Sequence, residues 1–210
     1  IGSVMAVSAV SGLAARPLVG WALDSWGRRR TLTIGTGFMV LALALVGLIQ
    51  DAGVLAYAVR LVYGVGVGVL FPGYFTLAAD HVPPARRTEG IALFGVFGLL
   101  PLALNPLSGR LGVAPLDIRW YLPAVGVLVL LSLPILWQVS EPRTGASGPA
   151  PGVRAVLRAL GHRSLWSVWV ATAAFGTLVA AFMAFATVAA ERRGIADPAG
   201  LWMTYAFGAA

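Results

Sequence analysis

The stretch Gly20-Trp21-Ala22-Leu23-Asp24-Ser25-Trp26-Gly27-Arg28-Arg29-Arg30-Thr31-Leu32 decides how this chain is read. It is a short polar hinge between two apolar runs, Ile1 to Leu23 and Leu32 to Ile49. Each run approaches the ~20 residues that a helix needs to cross the ~30 Å hydrocarbon core of a bilayer. Gly27 permits a backbone conformation closed to other residues, and the arginines Arg28, Arg29 and Arg30 hold the loop on one side of a membrane. Asp24, at the boundary, is a fixed negative charge suited to a helix amino-terminus or an arginine. A purely topogenic hairpin accounts for the arginines. It does not account for the joint spacing of Gly20, Asp24 and Gly27.

The composition extends the same reading outward. The chain has 210 residues, of which 59% are hydrophobic before its 26 glycines are counted, and only 11% are charged. Soluble domains carry roughly 25% charged residues. A soluble domain of this size keeps a large surface that needs polar cover, so the solvent for most of this chain is lipid. Seven apolar runs follow: Ile1 to Leu23, Leu32 to Ile49, Val54 to Leu77, Ile91 to Leu111, Tyr121 to Gln138, Leu165 to Ala189, and a truncated start from Gly200 to Ala210. The fold class expected is an all-α, polytopic transmembrane helical bundle.

Charge distribution tests that topology. The net charge of +7 arises from 15 basic and eight acidic residues, and every basic residue is arginine. In a polar protein this excess would suggest nucleic acid. Here the arginines sit between apolar runs. Nine of them (Arg28, Arg29, Arg30, Arg86, Arg87, Arg143, Arg154, Arg158 and Arg163) lie in the first, third and fifth connections, and four (Arg110, Arg119, Arg192 and Arg193) in the alternate ones. The positive-inside rule places the first set in the cytoplasm. Loops 24–31, 79–90 and 140–164 are therefore expected on the cytoplasmic side of the inner (plasma) membrane, with the lipid bilayer as partner and no nucleic acid.

Several chemistries are excluded. There is no cysteine, so no disulfide scaffold, thiolate metal site or thiol nucleophile is present, and the two histidines, His81 and His162, lie in connections. Neither a metal nor a cofactor is expected. The Gly-rich run from Gly64 lacks the lysine of a phosphate-binding loop. All eight acids, Asp24, Asp51, Asp80, Glu89, Asp117, Glu141, Glu191 and Asp197, fall in connections or at span ends. A coupling proton thus has no mid-membrane carboxylate here, and any carrier is expected in a missing first helix or second half.

The longest connection, Ser140 to Ser164, contains Gly145-Ala-Ser-Gly-Pro-Ala-Pro-Gly152, a flexible composition, and then Val153 to Leu160, where arginines alternate with Val156, Leu157 and Leu160. The second portion is either a short basic amphipathic helix on the membrane surface or a plain surface loop. The chain is accordingly divided into a helical half at 1–140, a linker at 141–164 and the start of a second half at 165–210.

The hinge spacing resembles the signature of the major facilitator superfamily, a glycine followed by D-x-x-G-R-R/K in the loop between transmembrane helices two and three. The resemblance implies that Asp24 latches the cytoplasmic side closed against a helix of the opposite half, with Arg28, Arg29 and Arg30 in the surrounding charge network. Arg60-Leu-Val-Tyr63-Gly64-Val-Gly66-Val-Gly68 looks like the fourth-helix motif R-x-x-x-G-x-G, two spans later, as in the family. An arginine within a span faces a cavity or a partner, or snorkels outward. Gly64 and Gly68, one turn apart, permit close helix contact. Tyr63, Phe71, Tyr74 and Phe75 follow at spacings that let several share the Arg60 face, either lining a cavity for an amphiphilic or anionic solute or simply packing.

Asp80-His-Val-Pro-Pro-Ala-Arg86-Arg87-Thr-Glu89-Gly90 resembles the loop between family helices four and five, and its charges either pair with the Asp24 loop or form a solvated turn. Glu141-Pro142 is similar to the end of the first half. The family's antiporter element G-P-x-x-G-G is matched only in part by Asn105-Pro106-Leu-Ser-Gly109-Arg110, where Pro106 and Gly109 agree and Asn105 replaces a glycine. By family order the chain covers helices two to seven and the beginning of eight. The resemblance implies a secondary transporter, not an enzyme, moving a small-molecule substrate by alternating access, in the manner of bacterial efflux permeases. The alternatives are an uptake carrier for sugars or organic anions and, in another class, a polytopic membrane enzyme or a non-transporting scaffold.

The topology makes a direct prediction. A single cysteine replacing Ser25 is expected to react with impermeant maleimide only from the cytoplasm, and one replacing Gly194 only from outside. Labelling of both from one side would overturn the arrangement.

Overall fold

The computed structural model describes residues 2–51, 53–110, 118–141 and 161–194 together with Gly208, with side-chain surroundings given for these apart from 99–110, 118–119, 183–184, 187 and 191. Every regular element among the described residues is helical: α1 (Gly2–Ser25), α2 (Arg28–Val46), α3 (Val54–His81), α4 (Arg87–Arg110), α5 (Ile118–Gln138) and α6 (Trp166–Arg192), with 3-10 turns at Pro84–Arg86 and Arg163–Leu165. Among the described residues, five helical segments are long and apolar enough to cross a membrane: Gly2–Ser25, Arg28–Val46, Val54–His81, Trp120–Gln138 and Arg163–Phe182. Residues 91–110 of the fourth apolar run lie in α4. The run from Gly200, except Gly208, the candidate amphipathic segment 153–160 and most of the linker lie outside the described residues.

The chain divides into two compact units. One contains residues 1–94 and 113–150, and the other 95–112 and 151–210. In the first, α3 packs against both α1 and α2, and α2 also packs against α5. In the second, the described part of α6 exposes Trp166, Trp169, Phe175, Leu178 and Phe185, an apolar surface suited to lipid or to further helices.

Small residues explain why α3 occupies the middle of the first unit. Lipid tails are as apolar as leucine, so helices in a membrane associate through close packing rather than through the hydrophobic effect. A Cβ added at Gly64 would collide with Ser11 Oγ and the Ser8 carbonyl of α1. One at Gly68 would lie 2.7 Å from the Gly12 carbonyl, and one at Gly12 would lie 2.8 Å from the Gly64 carbonyl. Gly66, two positions on and so on nearly the opposite helix face, approaches α2 instead, 3.1 Å from the Met39 amide. Gly35 of α2 returns the contact, with its added Cβ 2.5 Å from Val69 Cγ1. The alternating glycines thus serve two neighbours at once.

Packing tightens towards the end that carries the hinge. Leu32, Leu77 and Leu136 form one buried cluster from α2, α3 and α5, and Val19, Leu23 and Val69 form another between α1 and α3. Thr36 is fully buried within α2, and its hydroxyl donates to the Leu32 carbonyl at 2.9 Å, which satisfies it.

Gly64→Val is expected to destabilise the helical unit by about 1–3 kcal/mol or more, because the Ser8 backbone as well as the Ser11 side chain stands in the way. Gly37→Ala, with nothing within 4 Å of the added carbon, is expected to be neutral or mildly stabilising. Thermal unfolding of both variants in detergent checks the contrast.

Candidate functional site

The hinge closes as a two-residue turn between α1 and α2. Gly27 has φ 92°, the left-handed region that favours glycine. It is also crowded: an added Cβ would lie 2.6 Å from Glu141 Oε1. The turn requires glycine here, and a larger residue would in addition push the Glu141 carboxylate aside.

α2 starts at Arg28, earlier than the apolar run beginning at Leu32, so all three arginines enter its first turn. That turn contains no acidic residue and Gly27 supplies no side-chain cap, which leaves cations at the positive end of the helix dipole. Glu141 provides what is missing. Its Oε1 accepts the Arg28 amide at 2.5 Å, its Oε2 accepts the Arg29 amide at 3.3 Å, and Oε2 lies 3.9 Å from Arg29 Nε. The Arg29 guanidinium donates in addition to the Val139 carbonyl at 2.5 Å.

Arg28 gathers the remaining helix ends. Its Nε donates to Asp80 Oδ2 at 3.0 Å, its Nη1 lies 3.3 Å from Asp24 Oδ1, and the same Nη1 donates to the Leu23 carbonyl at 2.6 Å. The side chain is only 12% exposed. Asp24 and Asp80 stand near the carbonyl ends of α1 and α3, where a carboxylate is electrostatically disfavoured, and a single guanidinium offsets both. Arg30 is exposed and makes no ion pair among the described residues. His81, beside Asp80, reaches the Ser140 carbonyl through Nε2 at 3.1 Å. Arg86 pairs locally with Glu89 at 2.8 Å.

The expected loop residues Asp24, Gly27, Arg28 and Arg29 are thus brought together. Asp80 joins them through the first of the two arrangements open to its loop. Glu141 enters as a capping residue that the sequence showed only as a motif marker. Its signal was available in principle: a helix opening on three arginines with no acid calls for an anion from elsewhere. Gly20 has open space where its Cβ would be, and nothing among the described residues explains its glycine.

The fourth-helix residues are distributed over different surfaces. Arg60 Cζ lies 5.8 Å from the centroid of the Tyr63 ring, a cation–π contact within α3. A cavity of about 640 Å³ lies between α2, α3 and α5, lined by Tyr63, Tyr74, Met39, Leu70, Thr36 and Ser132 among others. Arg60 and Phe71 do not line it. Phe71 is 62% exposed and meets Phe75, which in turn meets Phe94 edge-on, each pair at 5.0 Å. The aromatic series therefore splits into a cavity face and an α4-facing face. Asn105, Pro106 and Gly109 fall in α4, and their side-chain surroundings lie outside the described residues.

Arg28→Ala is expected to destabilise the unit by about 1–3 kcal/mol, less than the loss of a fully buried pair because both carboxylates are partly solvated. Arg30→Ala should change stability by less than about 0.5 kcal/mol. Equal losses in thermal unfolding would show that the bridging geometry contributes nothing.

The sequence profile of the Major Facilitator Superfamily matches residues 1–210. The chain is 34% identical over 112 residues to multidrug resistance protein 3 of Bacillus subtilis, an alignment covering 53% of this chain and 22% of that protein. It is 26% identical over 215 residues to a triacylglyceride transporter of Mycolicibacterium smegmatis, covering 90% of this chain and 37% of that protein. The chain therefore spans well under half the length of these curated relatives. No solved structure gives a significant match. With the profile matched from end to end, and with membrane-spanning helices joined by the hinge and glycine motifs described above, this chain belongs to the Major Facilitator Superfamily.

Proposed function

We propose that the chain is the middle of a secondary active transporter that exports a small solute by alternating access, with residues 1–140 completing one helical half, 141–164 linking the halves and 165–210 opening the second. The observation that carries this reading is the charge cluster of Asp24, Arg28, Asp80 and Glu141 at one end of the bundle. It makes the ends of α1, α2, α3 and α5 one braced unit, the kind of rigid body that rocks against another in a two-bundle carrier. Export is favoured over uptake by the relative named as a multidrug resistance protein.

In this reading the braced end faces the cytoplasm and Asp24 latches it. Its carboxyl is 39% exposed, and Arg28 engages one of its oxygens while the other has no partner among the described residues. That free acceptor suits the amino-terminus of a helix in the opposite half. Arg60, stacked on Tyr63, and the tyrosines of the apolar cavity would favour a solute with an apolar body. Among the described residues every carboxylate lies at a helix end or in a connection, so a coupling proton would be carried elsewhere in the protein.

The complete protein in proteoliposomes, assayed against drugs, sugars and organic anions with and without a proton gradient, tests the reading. Asp24→Asn is expected to slow export roughly tenfold by shifting the balance towards the cytoplasm-open state, leaving insertion intact. Unchanged transport would remove Asp24 from the mechanism, and the absence of solute movement across the whole panel would remove the transporter reading.

A further inference from the structure

Both ring nitrogens of His81 face carbonyl oxygens. Nδ1 lies 2.8 Å from the Leu77 carbonyl, one turn back in α3, and Nε2 lies 3.1 Å from the Ser140 carbonyl beyond the end of α5. A carbonyl only accepts. A neutral imidazole has one donor and one acceptor, so it fills one of these contacts, whereas the imidazolium donates to both. The Ser140 hydroxyl, 3.4 Å from Nε2, offers the neutral ring a longer and weaker substitute in which the ring accepts. The second proton on the ring therefore decides whether α3 is fastened to the backbone of residue 140.

The surroundings suit such a device. His81 is exposed, so protons reach it, and it is the last residue of α3. The neighbouring charges are already committed. Asp80 on the same helix end is held by Arg28 of α2, which also holds Asp24 of α1. Glu141, next to Ser140, caps the Arg28 and Arg29 amides, and Arg86 in the following turn is paired with Glu89 of α4. Arg30 and Arg87 are exposed. No other carboxylate among the described residues pairs with the ring.

We propose that His81 is a proton-operated clasp. Protonated, it holds residues 139–141 against the end of α3 and so keeps Glu141 seated on the first turn of α2. Neutral, it gives up the Nε2–Ser140 bond and loosens that cap. It concerns the packing of the charge cluster and stands independently of whether the complete protein is an exporter.

The experiment uses the complete protein in nanodiscs, labelled with ¹⁵N-histidine, with His81→Gln to assign the signal. Amide hydrogen exchange is followed at residues 28–29 and 139–141 and corrected for the intrinsic pH dependence of exchange. The ring is expected to pass from protonation at both nitrogens to the tautomer protonated at Nδ1. Over the same pH interval, protection of those amides should fall roughly three- to tenfold, the worth of one charge-assisted hydrogen bond partly replaced by water. His81→Gln should abolish the pH-dependent fall, and His81→Arg, a permanent cation, should keep protection high throughout. A fall of wild-type size in either variant, or a ring that changes charge without a change in protection, would overturn the proposal. Should His81→Gln fail to fold, the His81→Arg comparison decides alone.

Discussion

A guanidinium held between three helix ends is the interaction on which the charged end of this bundle depends. Arg28 is 12% exposed and joins two aspartates and the last turn of α1 through Nε and Nη1, and the carboxylate of Glu141 through its own backbone amide. Arginine is suited to this because its planar fork presents donors in fixed directions, which a lysine ammonium does not. Each partner also resolves a local difficulty. Asp24 and Asp80 sit where helix dipoles disfavour them, and the first turn of α2 carries cations where the dipole disfavours those. Conflicts that would be costly one at a time cancel when the four ends meet.

Away from that end the structure is held by a different means. In lipid, apolar side chains gain little by touching one another, so the close backbone approach at Gly12, Gly64 and Gly68 on one side and Gly35 and Gly66 on the other sets which helices are neighbours. The two systems divide the labour. Glycine seams define the lateral arrangement of α1, α2 and α3, and the charge cluster fixes the register of their ends, to which α5 is joined through Val139, Ser140 and Glu141. This is why one end of the unit carries a specific polar geometry while the middle is close-packed and almost without charge.

Much of the architecture was legible because the bilayer imposes a strong periodic demand. Runs of about 20 apolar residues must be helices, since no other open structure satisfies its backbone in lipid. The helix boundaries were less legible. α2 begins at Arg28 rather than Leu32, because an anion from elsewhere in the chain made a turn of arginines acceptable. Pairing of Asp80 with the hinge was one of two open alternatives, and only the meeting of α1, α2 and α3 at one end selects it. The aromatics after Arg60 share approximate helical spacing, yet Tyr63 and Tyr74 turn to the cavity, while Phe75 meets Phe94 and the exposed Phe71 meets Phe75. The angular step of a helix separates faces more finely than spacings of about three and four residues suggest.

By itself the sequence determined that this is a multi-pass, all-helical membrane protein of the major facilitator type, because span length, arginine asymmetry and the Gly20, Asp24, Gly27 spacing are local properties of the chain. Tertiary structure alone decided which charges meet. Glu141 lies 113 residues from the amide it caps, and His81 lies 59 residues from the carbonyl it reaches. Partnerships across such separations depend on how helices pack in three dimensions, and hydrogen-bond geometry is met or missed within an ångström, a precision that linear spacing does not carry.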